Sequence, residues 1–481
     1  DTHQGPTWYV AADGDWYEGD GSPENPVSSV LAAVNLANEG DEIILSEGTY
    51  TGEGNRDIYF LGKAVAIRST HGPDNTIVDA QGGNRRVFLF EAHGSYSAEI
   101  ESSVSIEGLT IQGGSLSNGS NGGGIYIDGA SPTFTNCTIR SNYVHENAYN
   151  SDPRGGGVYA YNSNSTFTNC RFLDNEVDGY VSHNGGYDTY PQGGGLYISG
   201  NSSVVIDSSL IQGNRSDGHD AHSNNDSRAY VRGGGIYLAG GSVLTLTNSE
   251  ISNNILAADG EERTYEGGGM YVESATANLA NVSFINNDYH GILSNGTVNV
   301  ISSIIWGNGS TDGGSINYSY TNRQGGSPGG EGNISKDPWF VDSDNRNYSL
   351  LPGSVCINRG DPNEFDADGT RRDMGVHIYT DTHQGPTWYV AADGDWYEGD
   401  GSPENPVSSV LAAVNLANEG DEIILSEGTY TGQGNRDIYF LGKAVAIRSD
   451  GLVDNTILDA QGGNRRVFLF EAHGSYPFES N

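Results

Sequence analysis

A motif of three glycines followed by aliphatic, tyrosine and a small or aliphatic residue recurs along the middle of this chain. It constrains the fold more than any other feature. It reads Gly122-Gly123-Gly124-Ile125-Tyr126-Ile127, and returns at Gly155, Gly193, Gly233 and Gly267, with a degenerate copy at Gly291-Ile292-Leu293. Each copy is followed by a second short apolar run ending in asparagine: Ile139 to Asn142, Phe172 to Asn175, Ile211 to Asn214, Ile251 to Asn254, Phe284 to Asn287 and Ile305 to Asn308. The triplets are spaced 33, 38, 40 and 34 residues apart, the signature of a stacked-repeat architecture. Runs such as Thr133-Phe134-Thr135-Asn136-Cys137-Thr138-Ile139 alternate, so each strand has one buried face. A single strand of this kind cannot bury that face alone, whereas neighbours stacked about 4.8 Å apart give a continuous core. Glycine permits the tight positive-φ corners, and the recurring asparagines are expected to bond from coil to coil as a ladder.

The spacing leaves residues over in each repeat. Segments 143–153, 176–191, 215–231 and 256–265 read as loop insertions, polar and rich in Tyr, His, Asn and Asp. Insertions at equivalent places in a solenoid project from one side, often the binding side. His183, His219 and His222 fall within them, but their spacing matches no zinc pattern.

Outside the repeats, residues 1–41 read as a strand, an acidic loop and a capping helix over Val27 to Asn38, and residues 381–481 repeat 1–101 almost unchanged. The division expected is 1–41 as cap, 42–335 as coils, 336–380 as a closing module and 381–481 as the start of a second unit. Near-identity over a hundred residues points to tandem duplication and to a longer multi-unit protein.

The opening "TWYVAADGD…GSPENPVSSVLAAVNLANEGDEIILSEGTYTG…GKAVAIRS" resembles that of secreted right-handed parallel β-helix proteins, the pectate-lyase-like superfamily. The Gly-Gly-Gly-Ile-Tyr and Ile-x-x-Asn repeats resemble those of the polymorphic outer-membrane proteins. The stretch from Asp337 to Gly375 is similar to a module that closes bacterial surface β-helices. The resemblance implies an all-β fold, a right-handed parallel β-helix with a short N-terminal capping helix, and a secreted or cell-surface location. It is specific for fold and poor for function, because the architecture hosts many activities.

Composition narrows the partners. A formal charge of −39 excludes nucleic acid, whose phosphates would be repelled. No apolar run reaches the length of a membrane helix. Cys137 and Cys170 share a repeat position with Ser209, Ser249, Val282 and Ser303, which reads as a small inward packing site.

Four groups are candidate sites. Tyr126, Tyr159, Tyr197, Tyr237 and Tyr271 occupy one position in successive coils, where alternation points them outward. Exposed rings at that spacing would stack on a sugar chain; the alternative is a self-stacked ladder shielding the sheet, partly roofed by the inserted loops. Asp13, Asp15 and Asp20, with Asp366, Asp368 and Asp373, offer oxygen ligands to calcium, or are acidic surface loops that bind nothing specific. Asn214 and Asn225 head sequons expected in inserted loops and are the candidates for glycosylation.

The expected function is extracellular, structural or adhesive: one unit of a tandem array or filament, contacting neighbouring copies of itself end to end or other surface components. The alternative is a polysaccharide-binding or polysaccharide-degrading protein, a lyase or hydrolase. Catalysis is not expected, because the coils show no clustered Asp triad and no coil carries an odd set of polar residues.

Overall fold

The computed structural model describes residues 5–15, 17–91, 104–117, 121–148, 150–181, 188–220, 228–259, 262–380, 382–440 and 442–470. Two compact units are resolved, one comprising Asp1–Val300 with Ile305–Asn317 and the other Ile301–Ile304 with Tyr318–Asn481.

The first unit is a solenoid. One coil runs through strands Val158–Tyr161, Thr166–Thr168, Arg171–Leu173 and Glu176–Val181. The next runs through Leu196–Ser199, Ser203–Asp207, Leu210–Gln212 and Arg215–Asp220. Each strand pairs in parallel with its counterpart one coil on: Tyr159 with Tyr197, Phe172 with Ile211, and Val177 with Ser216. Alternation places Val158, Leu196, Ile236 and Met270 inside with Ile198, Leu238 and Val272, all fully buried. Phe134 and Phe167 stack within the core with centroids 5.0 Å apart.

Corners explain the glycines and asparagines. Gly155 has φ +63, and a Cβ there would lie 2.3 Å from the Val158 carbonyl oxygen, so only glycine makes this turn into the strand. Asn136, Asn169, Asn248 and Asn281 take the left-handed conformation at the next corner, which asparagine tolerates better than most residues. The expected ladder is present in the asparagines that end each run. The Asn142 amide donates to Asn175 Oδ1 at 3.0 Å, Asn175 to Asn214 at 3.0 Å, Asn214 to Asn254 at 3.0 Å, and Asn254 to Asn287 at 2.9 Å. Each amide also donates to a carbonyl of the preceding coil, as Asn214 does to Phe172 at 2.9 Å. Buried polar groups are thereby satisfied, as they must be in a dry interior.

The segments read as insertions are structured. Their first residues form a third parallel sheet, ordered Ile255–Ala258, Arg215–Asp220, Glu176–Val181, Tyr143–Asn147 and Ser115–Ser117. Their last residues return in parallel as well, with Thr189 bridged to Ser151 and Ala229, and Arg228–Arg232 paired to Glu262–Glu266. Gly179 and Gly218 allow the two arms to approach: a Cβ on Gly179 would lie 2.0 Å from Thr189 Oγ1.

At the N-terminal end, strand Thr7–Asp15 pairs with Glu42–Leu45. Helix α1 spans Val30–Leu36, three residues shorter at its start than the sequence pattern, because Ser29 caps it by accepting from the Ala32 amide while Val27 bridges in extended conformation to Val10. Lys63 Nζ donates to the Val34, Asn35 and Ala37 carbonyls at the helix end, at 2.7, 3.0 and 2.7 Å.

The second unit holds the closing segment and the second copy. The copy repeats the cap, with strand Thr387–Asp395 against Glu422–Leu425 and helix α2 over Val410–Leu416. The closing segment contains an antiparallel pair, Phe340–Asp342 with Asn347–Leu350. Among the described residues no helix is long and apolar enough to cross a membrane.

Candidate functional site

The third sheet of the first unit carries a cluster of charged and aromatic polar side chains. Strands Tyr143–Asn147, Glu176–Val181 and Arg215–Asp220 bury Val144 and Val177 on one face and place alternate residues on the other. Register then aligns Tyr143 with Glu176 and Arg215, His145 with Asp178 and Asp217, and Asn147 with Tyr180 and His219. Three polar columns therefore stand side by side over three coils.

Asp178 and Asp217 are the centre. Tyr143 donates its hydroxyl to Asp178 Oδ2 at 2.7 Å, and His145 Nδ1 lies 3.0 Å from the same oxygen. Arg215 Nε donates to Asp217 Oδ2 at 2.8 Å and stands 3.5 Å from Glu176 Oε1. His219 lies 3.0 Å from Asp259 through Nδ1; its Nε2 is 3.4 Å from Asp217 Oδ2 and 3.7 Å from Asp178 Oδ1. Asp217 is only 3% exposed, and the second oxygen of each aspartate, Oδ1, is buried without a hydrogen-bond partner. A buried carboxylate oxygen left unpaired costs stability, and such groups concentrate where a ligand supplies the missing partner.

The surroundings tune the titrating groups. Burial raises the Glu176 carboxyl above its ordinary value; Arg215 opposes this, and the neighbouring charges of Asp178 and Asp217 add to it. Burial works against the charged form of His219, but Asp259, Asp217 and Asp178 outweigh it and raise its pKa. Burial likewise disfavours the Arg215 charge, yet Asp217 and Glu176 raise its pKa, so it stays a cation. Burial and the Asp178 carboxylate keep the Tyr143 hydroxyl protonated.

The residues singled out from the sequence lie elsewhere. The tyrosine row is a stack, with centroids 5.1, 5.2, 5.1 and 5.6 Å apart from Tyr126 through Tyr159, Tyr197 and Tyr237 to Tyr271. Of the two readings of this row, the geometry is that of the self-stacked ladder rather than of exposed rings: Tyr237 is 2% exposed and Tyr159, Tyr197 and Tyr271 are also buried. The returning arms roof the row, with the Arg154 guanidinium 5.2 Å from the Tyr197 ring centre and that of Arg232 5.4 Å from Tyr271.

The acidic candidates serve their own turns. Asp15 Oδ1 accepts from the Tyr17 and Glu18 amides, and Asp20 Oδ1 accepts from Ser22, while Asp13 is exposed. Asp366 Oδ2 accepts from the Asp373 amide, Asp368 from Thr370, and Asp373 from Asn358 and Tyr379. Among the described residues no three acidic, histidine or cysteine side chains converge to hold a metal ion. Asn214 is corrected as a glycosylation candidate: it is fully buried and its carboxamide is spent on the ladder. Asn225, His183 and His222 lie outside the described residues.

The aspartate pair was legible in one respect. Counting three residues past each ladder asparagine gives His145, Asp178, Asp217 and Ala257, which aligns Asp178-Gly179 with Asp217-Gly218. Taking these segments for loops hides the alignment.

Residues 74–228 match the family model described as a right handed beta helix region. No curated protein matches the chain. Among solved structures the chain is similar to pectate lyase Pel9A, at 17% identity over 77% of this chain and 96% of that one, with a TM-score of 0.36. It is similar to a rhamnogalacturonan lyase at 12% identity over 78% and 97%, TM-score 0.35. It is also similar to the catalytic domain of a GH87 alpha-1,3-glucanase in complex with nigerose, at 13% identity over 66% and 67%, TM-score 0.20. One expectation is corrected here. The view that the chain is not an enzyme does not stand, since its ground was that no coil carries an odd set of polar residues and the third sheet carries one. The fold itself is that of a right-handed parallel β-helix.

Proposed function

We propose that this chain is an extracellular polysaccharide-acting protein that binds and hydrolyses a neutral glycan on the outer face of the third sheet. The observation that carries the reading is the pairing of Asp178 and Asp217 across adjacent coils, each with a buried, unpartnered oxygen. Glu176, raised by burial, is the proton donor. It stands two residues from Asp178 on the same face of one strand, so the two carboxyls flank one stretch of the outer surface, as an acid and a base must in an inverting glycosidase. Glu176 passes its proton to the glycosidic oxygen as the bond to the anomeric carbon breaks. Water attacks that carbon from the opposite side and gives a proton to the Asp178 carboxylate. Solvent then returns both carboxyls to their starting states. Asp217 positions Arg215 and His219 at the floor of the site.

Electrostatics favours hydrolysis of neutral sugar over elimination from a uronate. A chain of charge −39 with three acids on this face repels a polyanion. Elimination needs a strong base, and Arg215, held by Asp217 and Glu176, is a poor one. The test is incubation with panels of neutral and acidic polysaccharides, reading reducing ends and the absorbance of unsaturated products near 235 nm. Reducing ends from a neutral polymer, lost in Glu176→Gln, support the reading. Unsaturated products from a uronate, or no product from any polymer, contradict it.

A further inference from the structure

One helix sequence, Val-Leu-Ala-Ala-Val-Asn-Leu, occurs twice in this chain, and the two copies differ in what covers them. In α2 all seven residues are buried. In α1 only Val30, Ala33 and Val34 are buried; Leu31, Ala32 and Leu36 are half-buried and Asn35 is exposed. The difference is the closing segment. Asn415 Nδ2 donates to the Gly353 carbonyl at 2.5 Å, and Gly353, at φ +78, approaches so closely that a Cβ on it would lie 2.3 Å from Ala412 Cα and Cβ. Trp339 stacks on Trp396 at 5.1 Å, and Lys336 Nζ lies 4.4 Å above the Tyr439 ring. The counterparts on α1 and beside it, Leu31, Ala32, Asn35, Leu36 and Tyr59, have the same residue types, and Tyr59 is 37% exposed. Residue 53, glutamate where the second copy has Gln433, is already paired with Arg56.

We propose that the uncovered face of α1 is a docking seat for the closing segment, residues 336–380, of a second copy of this chain. The seat has been met once within the molecule, so the occupant is defined: a glycine-tipped turn at Gly353 that fits over an alanine and accepts one hydrogen bond from an asparagine. In this chain that segment packs on α2, while the same residues of α1 are half-buried or exposed. A closing segment released from its own α2 finds the identical surface on another molecule, which joins copies end to end.

The test uses full-length chains. Ala412→Arg blocks the seat on α2 and frees the closing segment, and Ala32→Arg in the same chain blocks its own α1; mixed with wild type, this double variant is expected to form a two-chain species in sedimentation velocity with Kd of about 10 µM or tighter. Ala32→Arg in the wild-type partner is expected to abolish that species. Asn415→Ala, which removes only the bond to Gly353, gives the same association more weakly and keeps the test open if Ala412→Arg perturbs folding. Chains that fold by circular dichroism yet stay separate at about 100 µM, or that associate equally with the Ala32→Arg partner, overturn the proposal.

Discussion

Asp178 and Asp217 are register partners on neighbouring coils, and each buries an oxygen that accepts no hydrogen bond. Like charges held at adjacent-strand spacing, about 4.8 Å apart, oppose each other and are retained at a cost to the fold. Replacing Asp178 by Asn removes one charge and supplies an amide donor facing Asp217. The expected result in urea unfolding is a gain or no loss, on the order of 1 kcal/mol, together with loss of glycan turnover.

Asn214 is the middle rung of the buried ladder. Its removal leaves the Asn175 amide, the Phe172 carbonyl and Asn254 Oδ1 each short of a partner. Asn214→Ala is expected to cost about 2–4 kcal/mol in urea unfolding. Asn214→Asp is expected to be worse, because it buries a charge in place of an amide.

The ladder also shows which parts of the fold could be read from the sequence. Asn142, Asn175, Asn214, Asn254 and Asn287 recur at positions fixed by the coil, so periodicity alone reveals them, as it does the inward aliphatics beside the glycine triplets. The aspartate pair obeys the same register but sits past the last apolar residue of each run. There, Gly179 and Gly218 interrupt the alternation that marks a strand. For the tyrosines, periodicity leaves two readings open, exposed rings or a roofed stack. Alternation fixes which way Tyr197 points, but the roof over it comes from Arg154, contributed by the arm of the preceding coil. Periodicity carries no information about a returning arm.

The tyrosine row is expected to behave as packing. Tyr197→Ala opens a buried gap between two stacked rings and should cost roughly 3–5 kcal/mol, whereas Tyr197→Phe should cost below about 1 kcal/mol. Glycan affinity measured by calorimetry should be the same for Tyr197→Phe and wild type.

His219 gives the site a pH signature. Its folded pKa is raised above the unfolded value of about 6.5, so its stabilising contribution is fully present below that pH and is lost as pH rises through the folded pKa. The melting-temperature advantage of wild type over His219→Gln should therefore be largest in mildly acidic buffer and shrink as pH rises through the folded pKa. An advantage that grows with pH would contradict the assignment of Asp259, Asp217 and Asp178 as the groups that raise it.

The most direct measurement is the rate of reducing-end release from the best neutral polysaccharide by wild type and by Asp178→Asn, at matched folding by circular dichroism. A carboxylate that activates water predicts a fall of about 100-fold or more. An unchanged rate in a folded Asp178→Asn protein would place the chemistry elsewhere and contradict the account.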